Sequence, residues 1–395
     1  MYNEKAYALG ANRSCIRELF EYGRARAAIV GKENVFDYSL GNPSIPTPKE
    51  VNDVICEIVQ TMQDPHSYTT AAGDMATRQA IADDLNARYG VQVQAQELFL
   101  TCGAAPALCA IFRALATPGS EFLAIAPFFP EYRPWVEQAG GTFKVVPADV
   151  PNFQIDMAAL EQTLTEKTCA VILNSPNNPS GTVYTAETLR ALAQLLKEKS
   201  DAYGHPIYIV SDEPYRELVY DGAQVPFIPA IYDNTLVCYS YSKSLSLPGE
   251  RLGYVYVPAS ATDANALYAA IAGAARAYGH VCAPALMQKV IARCAHLRPD
   301  LRAYDKNRRA LYDGLVEAGY EVAKPSGAFY LFVKAPGGDS VAFSEKAKKK
   351  DLLIVPGNDF GCKEYFRVCY CVSYDTIIRS LPRFKALMEE ENTCL

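Results

Sequence analysis

Short apolar runs alternate with helical patterns through the middle of the chain. The predicted strands, each of four to six residues, are Leu98–Cys102, Phe122–Ala126, Phe143–Val146, Cys169–Leu173, Ile207–Ser211, Leu236–Tyr241 and Tyr254–Val257. Helical patterns between several of these runs cover Pro106–Ala116, Tyr132–Ala139 and Ala186–Lys199. Near-continuous apolar strands separated by helices are typical of a mostly parallel sheet covered on both faces. The pattern therefore predicts an α/β fold around such a sheet.

One connection is too short for a helical crossover. Only 12 residues, among them Pro248, Gly249 and Gly253, separate the run that ends at Tyr241 from the run that starts at Tyr254. Parallel neighbours need a crossover that usually contains a helix, and 12 residues that include a proline and two glycines are short for one. We therefore predict that these two strands are antiparallel.

The pattern changes from about Pro284 onward. Two long helices are predicted at Ala285–Ala295 and Leu301–Ala318, and a short α+β segment follows from Glu321 to the C-terminus. We expect a large domain over residues 46–285 and a smaller α+β domain over residues 286–395. Residues 1–45 are expected to form an N-terminal arm and part of the smaller domain.

Composition excludes several classes of protein. The 395 residues carry a formal net charge of −6, which argues against nucleic acid as a partner because such proteins need a basic excess. No signal peptide and no membrane-spanning apolar run is visible, so we expect no membrane association. The 12 cysteines are scattered, without a CxxC pair. We interpret them as reduced, and a cytoplasmic location is expected.

The segment with the most chemistry runs from Tyr239 to Gly253. It places Lys243 just after a strand, between Ser240 and Ser242 on one side and Arg251 on the other. A lysine in a desolvated site can form an imine with an aldehyde cofactor. Hydroxyl groups and a guanidinium suit a phosphate monoester. The alternative for an isolated lysine of this kind is a plain surface loop.

This segment resembles the lysine motif of the class I aminotransferases, which are fold type I enzymes that use pyridoxal 5′-phosphate. Four further segments match the same family in the same order, and together the matches span Leu40 to Arg367. The resemblance implies a mostly parallel seven-stranded sheet in the large, cofactor-binding domain, with a smaller α+β domain beside it. It also implies that Lys243 holds the cofactor as a Schiff base.

Two matching segments follow predicted strands. Asn178 lies in a turn rich in asparagine and proline, and Asp212 ends the run at Ile209–Asp212. A buried aspartate is costly unless it is paired with a cation, and the alternative for Asp212 is a helix N-cap. The resemblance pairs Asp212 with the pyridine nitrogen of the cofactor. It assigns Asn178 and Tyr215 to the phenolic oxygen, with Asn178 also bordering the substrate.

Two more matching segments lie after strands. Gly103, Ala104 and Ala105 form a small-residue turn that opens a helix, a natural phosphate site. Family members often have a hydroxyl residue here, so the backbone amides would have to serve in this chain. The resemblance to a second segment stacks Phe129 on the pyridine ring, with Phe128 as the rival.

Three positions concern the substrate and a second subunit. Arg367 lies in an apolar strand, and a guanidinium matches a planar carboxylate. The resemblance gives Arg367 and the backbone of Gly41 to the substrate α-carboxylate. Tyr68 resembles the family tyrosine that reaches the phosphate of the neighbouring subunit, which implies a homodimer with shared active sites. The alternative for Tyr68 is a partly buried loop tyrosine.

The sequence therefore predicts an aminotransferase that moves an amino group from an L-amino acid to a 2-oxo acid by ping-pong chemistry. A C–S β-lyase on the same scaffold is the alternative, because the cofactor anchors do not choose the reaction. A non-catalytic regulator is the less favoured alternative. It would need a DNA-binding domain, and the roughly 35 residues before Asp37 leave no room for one. No nucleotide or zinc motif is present, so no metal is expected. Whether Arg276 binds a dicarboxylic substrate stays open.

Overall fold

The structure is a computed structural model that describes residues 1–11 and 15–393. The helices of these residues are α1 (Glu4–Ala11), α2 (Cys15–Val30), α3 (Lys49–Thr61), α4 (Met75–Tyr89), α5 (Ala104–Leu115), α6 (Tyr132–Ala139), α7 (Met157–Thr163), α8 (Ala186–Tyr203), α9 (Tyr241–Ser244), α10 (Ala264–Ala277), α11 (Ala285–Cys294), α12 (Arg302–Glu317), α13 (Ser340–Lys348) and α14 (Tyr374–Thr393). The strands are β1 (Phe36–Asp37), β2 (Leu98–Thr101), β3 (Glu121–Ile125), β4 (Thr142–Val146), β5 (Thr168–Asn174), β6 (Tyr208–Asp212), β7 (Thr235–Ser240), β8 (Gly253–Tyr256), β9 (Val322–Ala323), β10 (Tyr330–Lys334), β11 (Leu352–Leu353), β12 (Val355–Pro356) and β13 (Tyr365–Cys369).

The main sheet has seven strands in the order β2-β8-β7-β6-β5-β3-β4. Strands β3 to β7 pair in parallel, whereas β8 is antiparallel to both of its neighbours, β7 and β2. The chain turns back into β8 after only the four-residue helix α9. The predicted mostly parallel sheet and its antiparallel pair are both confirmed.

Helices cover both faces of the main sheet. Successive residues of β5 point to opposite sides: Ala170 and Ile172 pack with α5 and α10, whereas Val171 and Leu173 pack with α8. A strand buried on both faces has no polar alternation, which explains its continuous apolar run. None of the helices in the described ranges is long and apolar enough to cross a membrane.

A second, antiparallel sheet of four strands lies in the last third of the chain, in the order β12-β13-β10-β9. The two-stranded pair β1 and β11 joins the N-terminal region to this part. Aromatic side chains of β1, α12 and α14, including Phe36, Tyr304 and Phe384, share one buried cluster with β10 and β13. The domain boundaries at residues 45 and 285 stay a prediction.

The element bounds differ little from the predicted ones. Each strand of the main sheet lies within one residue of its predicted ends. Helix α8 runs four residues beyond the predicted Lys199 and ends where Gly204 takes a left-handed conformation with φ of 75°. Helix α5 begins two residues before Pro106, because a proline in the first turn loses no helical hydrogen bond.

Parallel strands bring their carboxyl ends to one edge of the sheet. Asn174 at the end of β5 is in register with Asp212 at the end of β6, and Asp212 is in register with Cys238 of β7. Lys243 follows β7 in helix α9. Ligands of open α/β sheets bind at this edge, so the functional site is expected there.

Candidate active site

A cavity of about 370 Å³ opens at the carboxyl ends of β5, β6 and β7. Twelve of the fourteen predicted site residues line it: Gly41, Ala104, Ala105, Phe129, Asn178, Asp212, Tyr215, Ser240, Ser242, Lys243, Arg251 and Arg367. Gly103 lies directly behind Ala104 as the N-cap of α5. Tyr68 lies elsewhere. Segments up to 326 positions apart in sequence thus meet at one cavity.

Asp212 is buried at the floor of this cavity. Its Oδ2 accepts a hydrogen bond of 2.5 Å from the hydroxyl of Tyr132. Its Oδ1 is buried and has no partner within the described residues. Burial raises the pKa of Asp212 to about 7, against the lowering effect of the Tyr132 hydrogen bond. The protein therefore holds a carboxylate oxygen ready for a cationic or donor group in the cavity.

Lys243 reaches the cavity from the short helix α9. Its Nζ donates a hydrogen bond of 2.7 Å to the carbonyl oxygen of Gly41. The pKa of this lysine is lowered, chiefly by burial and further by Arg251 and Arg367, although Cys371 and Cys369 oppose the shift. A lowered pKa favours the neutral amine, which is the nucleophilic form.

One end of the cavity is built to receive an anion. The backbone N–H groups at the start of α5 carry no side-chain cap, so they and the helix dipole face the cavity near Ala104. Nη1 of Arg251 lies 3.4 Å from Oγ of Ser242, which in turn lies 2.8 Å from Oγ of Ser240. Hydroxyl donors, a guanidinium and free amides together match a phosphate group.

Gly103 permits the approach of Arg251. Its φ of 94° lies in the region that favours glycine, and a Cβ at this position would lie 2.8 Å from Nη2 of Arg251. Both its backbone conformation and the nearby Arg251 guanidinium therefore favour glycine at position 103.

Arg367 lies in β13 on the opposite side of the cavity. Nη1 donates to Oδ1 of Asn178 at 3.0 Å, and Nη2 donates to the carbonyl oxygen of Ser39 at 2.5 Å. Nε is buried and has no partner among the residues that the structure describes. No aspartate or glutamate of the described ranges forms an ion pair with it. Such an unneutralised buried guanidinium is suited to an incoming carboxylate.

Two tyrosines link the two sheets beside Arg367. The hydroxyls of Tyr215 and Tyr330 lie 2.9 Å apart, and the Arg367 guanidinium lies 4.7 Å from the Tyr330 ring centroid. A Cβ on Gly41 would lie 2.0 Å from the Tyr330 hydroxyl. Gly41 is therefore a glycine because Tyr330 occupies the space of its side chain.

Phe129, rather than its neighbour Phe128, faces the cavity. Its ring makes edge contacts with Tyr132 at 5.7 Å and with Trp135 at 6.0 Å between centroids. Phe128 is buried and packs edge-on against Phe143 at 5.1 Å. Of the two aromatic residues considered from sequence, only Phe129 can contact a molecule in the cavity.

Two residues of the sequence analysis lie away from the cavity. Tyr68, in the connection between α3 and α4, is 85% exposed, so the alternative of a partly buried loop tyrosine does not describe it. Arg276 is exposed in the last turn of α10. Neither contributes to the cavity of its own chain. Among the described residues, no group of three or more potential metal ligands is present either.

The family model of the class I and II aminotransferases matches residues 33–381. The chain belongs to this family. Its relatives include the aspartate aminotransferase of Thermotoga maritima, 30% identical over 92% of this chain and 93% of the relative. Another is a probable N-acetyl-LL-diaminopimelate aminotransferase of Bacillus subtilis, 30% identical over 89% of each chain.

Solved structures agree with this aminotransferase assignment. An amino transferase of Eubacterium rectale is 54% identical, covers 99% of both chains and superposes with a TM-score of 0.97. The Thermotoga maritima aspartate aminotransferase is 28% identical, with a TM-score of 0.87 over 98% of this chain and all of the other. The predicted fold type I architecture and the predicted pyridoxal-phosphate-dependent amino-group transfer are both confirmed.

The cavity of this aminotransferase fits pyridoxal 5′-phosphate, the cofactor of the family. The buried, unpaired Oδ1 of Asp212 suits a protonated pyridine nitrogen. The Arg251 guanidinium, which Gly103 allows to approach the start of α5, suits a phosphate group there. Lys243 lines the same cavity, with an amine whose pKa is lowered. The residues present therefore match the three ends of the cofactor.

Nine residues that line the aminotransferase cavity were not among the predicted site residues: Ile16, Leu40, Leu108, Glu131, Trp135, Asn174, Pro214, Pro248 and Tyr330. Tyr132, which does not line the cavity but donates to Asp212, was missed as well. Tyr132 stands three positions after Phe129, within a segment already singled out, and an aromatic hydroxyl one turn away was the available signal. Tyr330 carried no signal, because its place depends on how β10 packs against Tyr215, 115 positions earlier.

Proposed function

We propose that Lys243 holds pyridoxal 5′-phosphate covalently and that Asp212 pairs with its pyridine nitrogen. The single observation that carries this assignment is the buried Oδ1 of Asp212, which has no partner among the described residues and lines the same cavity as Lys243. A buried acceptor without a donor costs about 1–3 kcal/mol. A cofactor that supplies a cationic N–H removes this cost.

The remaining cofactor contacts follow from the same cavity. Phe129 provides an aromatic face for the ring, and Asn178 and Tyr215 provide donors for the phenolic oxygen. The amides of Ala104 and Ala105, with Gly103 behind them, take the phosphate. Three side chains complete the phosphate contacts: Ser240, Ser242 and Arg251.

Pyridoxal phosphate, when bound, supplies an aldehyde carbon and a protonated ring that accepts electrons from the substrate. Arg367 binds the α-carboxylate of the amino acid, with the backbone of Gly41 and the amide of Asn178 beside it. The hydrogen bond that Arg367 donates to Oδ1 of Asn178 fixes the plane of the guanidinium. The substrate Cα is thereby held between Arg367 and Lys243.

Lys243 then acts as the proton carrier. With the cofactor bound, its free amine would accept the proton that the substrate Cα loses and would hold it for the return transfer. Its lowered pKa favours the neutral amine that the first of these transfers requires. The buried groups around the cavity limit the access of water during the proton transfer. One water molecule would be consumed when the first 2-oxo acid is released, and one would be returned when a second 2-oxo acid takes up the amino group.

The experiment that tests these roles follows the bound cofactor itself. Purified protein with pyridoxal phosphate is reduced with borohydride, and peptide mass mapping locates the phosphopyridoxyl group. We expect it on Lys243, with none on Lys243→Ala and full labelling of Lys49→Ala, whose exposed lysine forms an ion pair with Asp53. Labelling of another lysine in the native chain would disprove the assignment of Lys243.

The absorption spectrum distinguishes amino transfer from the lyase alternative. Amino acids should bleach the visible band of the cofactor, and 2-oxo acids should restore it. Release of pyruvate and ammonia from a cysteine derivative, with no restoration by 2-oxo acids, would favour a β-lyase instead.

We also propose a homodimer in which Tyr68 contacts the phosphate of the other subunit. The support is its 85% exposure in a connection that contributes nothing to its own cavity. Light scattering should give twice the mass of 43.3 kDa. Mixing Tyr68→Ala with Lys243→Ala should restore activity, because one of the two sites in a hybrid dimer then has both residues. No restoration would contradict shared sites.

The location that we propose is the cytoplasm. Every cysteine that the structure describes with a side chain is a free thiol, which suits a reducing compartment. Cell fractionation of the source organism tests this.

A further inference from the structure

The cavity contains no spare cation for a second substrate carboxylate. Within the described residues, its cationic lining groups are Lys243, Arg251 and Arg367. This inference rests on the proposed function, in which Lys243 binds the cofactor aldehyde, Arg251 binds the phosphate and Arg367 binds the α-carboxylate. A dicarboxylic substrate therefore finds no further arginine or lysine in the cavity of its own chain.

The cavity does contain a free carboxylate. Glu131, half-buried directly before α6, lines it. In the described part of the chain this side chain has no hydrogen bond, ion pair or helix-capping contact. The neighbouring arginine, Arg133, is engaged elsewhere, because it pairs with Glu137 at 3.7 Å and lies 4.6 Å from the ring centroid of Phe143.

The other walls not assigned to the cofactor or to the α-carboxylate are largely apolar. Trp135 stands one turn after Glu131 on the same helix, while Ile16 of α2 and Leu40 approach from the N-terminal region. Such walls exclude water and favour an apolar substrate side chain. They also make the nearby Glu131 carboxylate less screened than it would be on an open surface.

We infer that this aminotransferase prefers amino acids whose side chain is apolar along its length and carries a neutral or positively charged group at its end. Dicarboxylic amino acids are the poorer substrates. Glu131 is the specificity-determining residue. It repels a distal carboxylate, and it attracts a cation or accepts a hydrogen bond from a neutral donor. Because both half-reactions use one site, the acceptor is a monocarboxylic 2-oxo acid by the same reasoning. The preference differs from the aspartate named for several relatives.

The test compares isosteric substrates that differ only in charge. Single-turnover rates of the holoenzyme are measured from the cofactor absorbance with L-glutamine against L-glutamate and with L-asparagine against L-aspartate. We expect kcat/KM to favour the amide by about fivefold or more in each pair, the size expected of repulsion by a partly screened carboxylate.

Two variants isolate the charge of Glu131. Glu131→Gln keeps the shape and should bring the amide-to-acid ratio close to one. Glu187→Gln makes the same change at an exposed residue in the first turn of α8, which does not line the cavity, and should leave the ratio unchanged. An unchanged ratio in Glu131→Gln would overturn the assignment of this residue.

Binding without turnover gives a second readout. Trp135 is the single tryptophan of the chain, so its fluorescence reports occupancy of the cavity. Glutarate should bind more weakly than the isosteric monoamide glutaramate, and Glu131→Gln should remove the difference. Equal binding of both ligands to the native protein would overturn the inference.

Two outcomes separate this inference from the proposed function. A protein that reacts with no amino acid overturns both. A protein that uses L-glutamate as well as L-glutamine overturns the inference alone. If Arg276→Ala then abolishes the reaction with L-glutamate, the second carboxylate is bound by the exposed arginine of the other subunit, and the substrate class is dicarboxylic.

Discussion

Tyr132 holds one oxygen of Asp212 and leaves the other free. Its hydroxyl donates to Oδ2 at 2.5 Å, and Oδ1 is buried without a partner in the described ranges. Both side chains are buried, and the Tyr132 ring meets Phe129 edge-on. One tyrosine therefore fixes the rotamer of the carboxylate and contacts the aromatic ring proposed to cover the cofactor.

Loss of the Tyr132 hydroxyl should weaken cofactor binding. Hydrogen bonds to charged groups are worth about 1.5–3 kcal/mol, so the Kd for pyridoxal phosphate should rise at least about tenfold in Tyr132→Phe. The hydroxyl also lowers the pKa of Asp212. Its loss should therefore move the acidic decline of cofactor affinity to higher pH. Fluorescence titration of the apoprotein across pH measures both effects.

The matched control for this prediction is Tyr208→Phe. Tyr208 begins the same strand that Asp212 ends, and its hydroxyl donates to the carbonyl oxygen of Thr262 at 3.1 Å. The control loses one neutral hydrogen bond far from the cavity and should keep the native affinity and pH profile. If Tyr132→Phe matches this control, Tyr132 has no role in positioning Asp212.

The sequence was sufficient to place residues that follow strand ends in the cavity. It was not sufficient for residues whose position in the cavity depends on how distant elements pack together. Asp212 and Lys243 end or follow apolar runs, and parallel strands bring such positions to one edge. Tyr330 and Ile16 reach the cavity from parts of the chain whose arrangement no local pattern specifies. The hydroxyl contact of Tyr132 depends on the angle of α6, which one helical turn of sequence does not determine.

Asp212 should destabilise the apoprotein above neutral pH. Its folded-state pKa of about 7 lies above the ordinary value of 3.8. Between these values the folded chain retains a proton that the unfolded chain releases, so stability falls as pH rises from about 4 to 7. Apoprotein of Asp212→Asn should therefore be more stable than the native chain at pH 8, by on the order of 3 kcal/mol, and less so at pH 5.

Calorimetry of the apoproteins at both pH values checks this, with Asp300→Asn as control. Asp300 is exposed, and hydrogen bonds from Arg302 lower its pKa to about 2, so its removal should give no gain at pH 8. Added pyridoxal phosphate should reverse the order by stabilising only the native chain. An Asp212→Asn apoprotein no more stable than native at pH 8 would contradict the raised pKa.

Gly41→Ala should be destabilising through one identified clash. The new Cβ would lie 2.0 Å from the hydroxyl of Tyr330 and 3.1 Å from Phe329. Overpacking of this kind costs about 1–3 kcal/mol. Adding Tyr330→Phe removes the nearer atom, so the double variant should recover part of the loss in urea denaturation.

The control for Gly41→Ala is Gly273→Ala. Gly273 lies inside α10, and a Cβ there meets no atom within 4 Å. Alanine is favoured over glycine in a helix by about 1 kcal/mol, so this variant should gain stability. A Gly41→Ala/Tyr330→Phe variant as unstable as Gly41→Ala would show that the Tyr330 hydroxyl is not the obstacle.

Arg367→Lys should impair substrate binding and spare the cofactor. A lysine keeps the charge but loses the planar fork that now donates to Asn178 and to the Ser39 carbonyl oxygen. Loss of a two-pronged contact with a carboxylate is worth about 3 kcal/mol, so KM for the amino acid should rise on the order of a hundredfold. The Kd for pyridoxal phosphate should equal that of the native chain, because Arg367 lies across the cavity from the proposed phosphate contacts.

The control is Arg293→Lys. This change alters a two-pronged contact with Glu57 on the surface and should leave KM unchanged. Steady-state kinetics beside a cofactor titration separates the outcomes, and equal losses of cofactor and substrate affinity would mean that Arg367 supports the fold of the cavity instead of the substrate.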